Sequence, residues 1–332
     1  MRRRETQRLL QLQNALAGEM IGQLLVQRQY FSDLPLVMWY EKLTEGSDPL
    51  LQYSIVFSNE DSGTPTDELM ARWGRASDIE YIYRITLNTA GQLQKETFQG
   101  MEHDERLFHG HKVGHHPLIL VATPNNCFAD TGFSAVQYRL LPVFADLSGH
   151  SREELMDRFP WTYSVMAQEL EREHKIRPYG REYGAAIGDP RNYLYLELKA
   201  DNRNTGLVVW VKLKGVRDLY SSHRGKKTMA VTRSGWYRTT VELPPGTHAN
   251  TIENIMLECV DMRDPQLLES DYGPSMGHVS STLHHINKVF FLDTSFRPSE
   301  NMLEDKETIV FHPGQMKSFS PKPTTHQTSA LR

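Results

Sequence analysis

Residues 79–87 read IEYIYRITL, and the same two-residue rhythm returns along most of the chain. Successive side chains leave an extended strand on opposite sides. Ile79, Tyr81, Tyr83, Ile85 and Leu87 are therefore predicted on one face, with Glu80, Ile82, Arg84 and Thr86 on the other. Comparable runs in the first half are LPLVMWYEKL, LQYSIVFSN, HPLILVAT and AVQYRLLPVF. The second half adds YLYLELKA, GLVVWVKLKG, GWYRTTVELP, TIENIMLECVDM, NKVFFLDTSF and ETIVFHPG. Gly, Pro, Asn and Asp separate them, as turns require. About eleven strands without regular strand–helix alternation predict a mostly β fold, an antiparallel two-sheet β-sandwich or two small β modules flanking a helix.

Two stretches break the rhythm. TPTDELMARWG predicts a short helix that Thr66 caps and Gly74 ends. SREELMDRFPWTYSVMAQELEREHK predicts a helical insertion over 151–177. Ser151 and Glu154 have the capping-box spacing, and Pro160 forces a break. Trp161, Val165 and Leu170 are expected to face the core, and Glu171 and Lys175 to pair on the wet side. At the N-terminus, Leu9, Leu12, Leu16, Met20 and Leu24 recur at helical spacing, so residues 1–28 are read as an amphipathic helix that docks on the body or mediates oligomerisation. The β-sandwich body is expected over 29–317, as halves 29–150 and 178–317 around the insertion. The polar, Pro- and Ser/Thr-rich segment 318–332 is expected to be disordered.

Composition narrows the class further. Hydrophobic residues make up 39% and charged residues 23%, enough apolar material for a core. A net charge of −4 gives no field that would draw nucleic acid. No run is apolar and long enough to span a bilayer, and no continuous apolar stretch follows the basic Arg2–Arg4 start as in a signal peptide. A soluble protein is expected, with the cytoplasm favoured. Cys127 and Cys259 are too few for a disulfide framework and read as small buried hydrophobes, one bridge remaining open. GxGxxG and GxxxxGK with Ser or Thr are absent from the sequence, so no nucleotide cofactor is expected.

Three polar groups stand out. Asn59, Glu60 and Asp61 follow an apolar strand, where an amide and carboxylates suit a hard cation or an ordinary turn. Asp78 and Glu80, two apart, share a strand face and can hold a metal or divide acid and base roles. LFHGHKVGHHPLIL carries His109, His111, His115 and His116. Imidazoles suit Zn²⁺, and His111 and His116 are the ligands best placed to join Asp78 and Glu80; a polar loop feeding a strand is the simpler reading.

SDIEYIYRITLN followed by HHPLILVATPNNCFAD resembles the paired signature of the Vps62-like proteins, and the acidic segment is similar to that of the necrosis-inducing (NLP) proteins. The resemblance implies a β-sandwich, and, from the NLP group, a divalent ion held by acidic and His side chains and used in membrane-lipid recognition. Asp78 and Glu80 match the acidic pair and His116 the start of the second segment. Ile79 stands where those families carry Trp, and Asn125-Asn126-Cys127 where they carry a small-residue and His element.

Two function classes follow. One is a binding or interaction protein that recognises lipid, glycan or protein around a divalent metal (Zn, Ca or Mg). The other is a metal- or carboxylate-dependent hydrolase or lyase with Asp78, Glu80 and His116 as catalytic residues.

Overall fold

The computed structural model describes residues 23–27, 33–134, 136–263 and 279–322. They fall into two compact units, one from the described residues up to Thr64 with Ser77–Ser148, the other from Pro65–Ala76 with the described residues after Ser148.

The first unit holds β1 (Gln23–Gln27), β2 (Pro35–Glu45), β3 (Asp48–Phe57), β4 (Asp78–Leu87), β5 (Leu93–Gln99), β6 (Glu105–Leu107), β7 (Lys112–Val113), β8 (His116–Val121), β9 (Phe128–Ala129), β10 (Val136–Leu140) and β11 (Val143–Phe144). One sheet runs β11-β2-β3-β4-β5-β6; the other runs β10-β1-β8-β7, with β9 on β8. Met38, Leu51, Tyr53, Ile55 and Phe57 of the first sheet pack with Ile119, Val121 and Phe128 of the second. This is a mostly antiparallel, sandwich-like pair of sheets; β1–β8 and β2–β11 are parallel.

The strict alternation expected for β4 fails at one residue. Tyr53 pairs with Tyr83 and Ser54 with Tyr81, leaving Ile82 as the extra residue of a bulge. Ile82 and Tyr83 both enter the core, whereas Ile79 is buried outside it. Asp78 and Glu80, four and two positions before Ile82, therefore share its side of the sheet. Arg84 sits over the Tyr81 ring, 4.1 Å away, on the other side.

The second unit contains α1 (Thr66–Trp73), α2 (Glu154–Arg158), α3 (Trp161–Arg172), β12 (Tyr193–Arg203), β13 (Thr205–Leu213), β14 (Leu219–Ser221), β15 (Gly235–Glu242), β16 (Ile252–Asp261), β17 (Ser280–Phe290), β18 (Ile309–Phe311) and β19 (Met316–Phe319). Two four-stranded antiparallel sheets, β15-β12-β17-β18 and β14-β13-β16-β19, enclose the larger core. Leu194, Leu196 and Leu198 of β12 meet Leu207, Val209 and Val211 of β13 there, with Ile255 and Leu257 of β16. The outer face of β12 is buried too, at Tyr193, Tyr195 and Glu197.

Several local expectations need correction. Pro65, not Thr66, is the N-cap of α1 and gives no side-chain bond; Gly74 does end the helix, at φ +65°. The last carbonyls of α1 are met instead by Thr239 Oγ1, on Ala71, and Thr240 Oγ1, on Met70. The break at Pro160 is observed, since α3 starts after it. The capping box at Ser151 does not form, because its hydroxyl donates to Glu197. Trp161 is exposed, and the buried face of α3 is Thr162, Tyr163, Met166, Ala167 and Leu170. Lys175 bridges Glu173. Residues 23–27, assigned to the N-terminal helix, form strand β1; residues 1–22 and 28 lie outside the described residues. Residues 318–322 are ordered: Phe319 is buried on β19, and Lys322 N donates to Met302 O. Residues 323–332 lie outside the described set. Both cysteines are free and buried. No described helix is long and apolar enough to cross a membrane.

Candidate functional site

The first unit gathers its polar residues where three chain segments meet. Ser58 N donates to Leu34 O, and Leu34 N donates to the Ser58 hydroxyl, which sets Asp33 beside Asn59. Asp61 N donates to Pro124 O, tying the segment after β3 to the loop between β8 and β9. That loop is a tight hairpin: Ala122 N donates to Cys127 O, and Cys127 N to Thr123 Oγ1. Asn126 takes φ +50° at its corner, a conformation Asn tolerates better than most residues.

Asn126 is fully buried and its side chain faces two acids. Its Nδ2 lies 3.2 Å from Asp33 Oδ2, 3.2 Å from Asp78 Oδ2 and 3.0 Å from the Asn59 carbonyl. Three acceptors thus converge on an amide that carries two hydrogens. Asn126 Oδ1 is buried with no hydrogen-bond partner, an unmet group that costs about 1–3 kcal/mol. Asp33, Asn59 and Asp78 are all buried around it. The other oxygen of Asp78 accepts from Ile79 N, which fixes the carboxylate.

A second row lies along the flank. Gln99 Nε2 donates to Glu80 Oε2 at 2.6 Å and contacts His103 Nδ1 at 2.8 Å. Glu80 Oε1 is 3.7 Å from the same ring nitrogen. With its amide turned to suit its neighbours, Asn125 donates to Glu60 Oε1 and accepts from His103 Nε2 at 3.1 Å. That places the His103 proton on Nε2 and leaves Nδ1 as acceptor. Cys127 Sγ is 3.6 Å from His103 Nε2, but its thiol is aligned on the Asn125 carbonyl at 3.5 Å. Burial first, then the Glu80 charge, push this thiol up to about 11, the opposite of an activated nucleophile.

The sequence candidates distribute as follows. Asp78 and Asn59 join at Asn126, Glu80 and Glu60 join the His103 row, and Asp61 accepts from the Asn59 amide. The imidazole the structure places against Glu80 is His103. β4, with Asp78 and Glu80, and β8, which His116 opens, belong to different sheets and are not paired strands. His111 is exposed, its carbonyl accepting from Leu118 N. His115 is exposed in the Gly114–His115 turn of the β7–β8 hairpin, and His116 is half-buried. Asp33, His103 and Asn126 were missed: the first precedes a strand, and the others sit in loops at positive φ.

A different polar network fills the outer face of β12 in the second unit, also unforeseen. Arg238, fully buried, donates to both oxygens of Asp157 (2.9 and 2.7 Å), to Glu197 (3.1 Å) and to the Tyr163 hydroxyl. Lys288 adds a 2.7 Å bond to Asp157. Burial raises the Asp157 pKa, but Arg238 and then Lys288 outweigh it and hold the carboxyl below its usual range. His150, Glu154 and Glu197 each bring one ligand atom within 4.8 Å of the others, so this group can hold a metal ion. The same unit has a cleft of about 750 Å³ lined by Asp189, Arg191, His248, Phe291, Asp293 and Met302 among others, a size usual for small-molecule sites.

Comparison with protein-family models, curated proteins and solved structures gives no match to this chain.

Proposed function

We propose that this chain is a cation-dependent binding protein, with a hard divalent ion, Ca²⁺ by preference, held in the first unit by Asp33, Asp78, Asn126 and the Asn59 carbonyl. The observation that carries the reading is Asn126: a buried amide among three acceptors, its own oxygen unsatisfied. A half-turn of that amide about its last torsion presents Oδ1, in place of Nδ2, to the point where the two carboxylates and the carbonyl converge. Carboxylate, amide and backbone oxygens are the ligands Ca²⁺ takes, at about 2.3–2.6 Å. The acidic pair that resembles the Vps62-like and NLP segments supplies Asp78 here; Glu80 stands on the flank with His103. Lipid, glycan or protein remain the ligand classes this reading carries. Calcium titration of the purified chain tests it: stoichiometric binding is expected, lost in Asp78→Asn and Asn126→Leu.

A second reading, the metal- or carboxylate-dependent hydrolase or lyase, rests on Asp78 and Glu80 with His103 in the place expected of His116. Cys127 supplies no nucleophile to it, since burial pushes its thiol up to about 11; slow labelling of Cys127 by a thiol reagent near pH 7 is the expected outcome.

A further inference from the structure

We propose that the second unit carries a separate Zn²⁺ site formed by His150, Glu154, Glu197 and Asn287. It does not rest on the calcium reading, because it uses other residues and another ligand chemistry.

The chain brings these four together by identifiable means. His150 and Glu154 are four residues apart at the entry to α2. Glu197 lies mid-strand on β12. Asn287 is the extra residue of a bulge in β17: Glu197 pairs with Lys288 and Leu198 with Ile286, so Asn287 has no opposite number. A bulge re-aims a side chain, and such features concentrate beside functional sites. Here Asn287 reaches the same carboxylate as its neighbour strand presents.

The local hydrogen-bond arithmetic does not close. His150 Nδ1 is 3.1 Å from Glu197 Oε1 and 3.1 Å from Asn287 Nδ2, and Nδ2 is 2.7 Å from Oε1. If Nδ1 carries a proton, it can donate to Glu197 Oε1 but stands against a second donor, Asn287 Nδ2; if not, it accepts from Asn287 Nδ2 but its lone pair faces the carboxylate oxygen. One contact is repulsive in either tautomer. A cation at this point removes the conflict, since Nδ1 and Oε1 both give it lone pairs and Asn287, turned over, gives Oδ1. Glu154 Oε2, 4.0 Å from Nδ1, is the fourth donor. Bonds of about 2.0–2.1 Å in a tetrahedron separate ligand atoms by roughly 3.3 Å; His150 Nδ1 stands 3.1 Å from Glu197 Oε1 and 4.0 Å from Glu154 Oε2. Glu197 is also aimed from behind: its other oxygen accepts from Ser151 Oγ at 2.8 Å and Arg238 Nη2 at 3.1 Å. Second-layer bonds of this kind orient metal-binding carboxylates. An imidazole among oxygen donors suits Zn²⁺ rather than Ca²⁺. Lys288 Nζ, 3.6 Å from Glu154 Oε2, is the resident competitor.

The test is calorimetric titration of Zn²⁺ into the full chain after chelator treatment, with melting curves of each metal-free variant. One tight Zn²⁺ isotherm is expected in the wild type. His150→Ala should weaken it by about thirty-fold or more, and Ser151→Ala by about ten-fold, the range for lost support of a metal ligand. Lys288→Met should tighten it, while His115→Ala, at an exposed histidine of the first unit, leaves it unchanged. If metal-free His150→Ala does not melt cooperatively, His150→Gln is read in its place. No tight Zn²⁺ binding to the wild type, or the wild-type isotherm retained in the His150 variant, overturns the proposal.

Discussion

The two units each bury carboxylates, and they meet them with different groups. In the second, a guanidinium stands between Asp157 and Glu197: Arg238 brings a full charge and a fork of donors to both. In the first, the group between Asp33 and Asp78 is the neutral amide of Asn126. The guanidinium meets both oxygens of Asp157 and one of Glu197 from within the chain. An amide offers two donors and an oxygen, and here that oxygen has nothing to receive. On the proposed reading, the difference separates carboxylates held by the chain's own cation from carboxylates open to one supplied from outside.

The largest effect that could break this contrast is loss of the guanidinium. Arg238→Met takes the fully buried cation from two carboxylates and should cost about 3–5 kcal/mol in urea unfolding; a cost near zero would mean that Arg238 does not organise the second unit. Next comes Asn126→Asp, which sets a third carboxylate between Asp33 and Asp78. Its melting temperature should fall well below wild type in chelator and recover much of the loss in millimolar Ca²⁺. Equal melting with and without the ion would remove the amide from the cation centre. Gly74→Ala follows, at about 1–2 kcal/mol for a left-handed residue, because an added Cβ would also lie 2.5 Å from Arg238 Cγ; thermal melting reads it.

The smallest effect is the pH slope. Asp157 has a folded pKa below its ordinary value, burial raising it and Arg238 and Lys288 more than reversing that. The unfolded chain therefore binds more protons in acid. The stability this group adds is fully present above about pH 4, the unfolded carboxylate range, and is lost as pH falls through the folded value. Wild type should lose stability below that pH more steeply than Arg238→Met; parallel slopes in acid titration would contradict the assignment.

Most strands were legible because their alternation is strong. β5 was not: LQKETFQ is nearly all polar, so its pairing with β4 leaves no hydrophobic period. The start of β17, SSTLHHI, was hidden the same way, and its two register shifts move His284 and Asn287 off any simple alternation. The sites were less visible. The acids Asp78 and Glu80 were found by spacing, but the residues that give them meaning lie on loops. Nothing local in PNNC marks Asn126 as buried. Glu197 did leave a signal: Tyr193 and Tyr195 precede it on the same face of β12, and a carboxylate in such company needs a buried partner. The Ser151–Glu154 spacing looked like a helix cap because sequence cannot show that Glu197 competes for the hydroxyl.

Calcium titration of the wild type beside Asn126→Leu tests the central claim most directly. Wild type should bind one Ca²⁺ in the first unit and gain about 2.7 kcal/mol of stability at a hundred times Kd, while Asn126→Leu, still folded, shows neither. Equal calcium binding by the two proteins, or none by the wild type, would contradict the account.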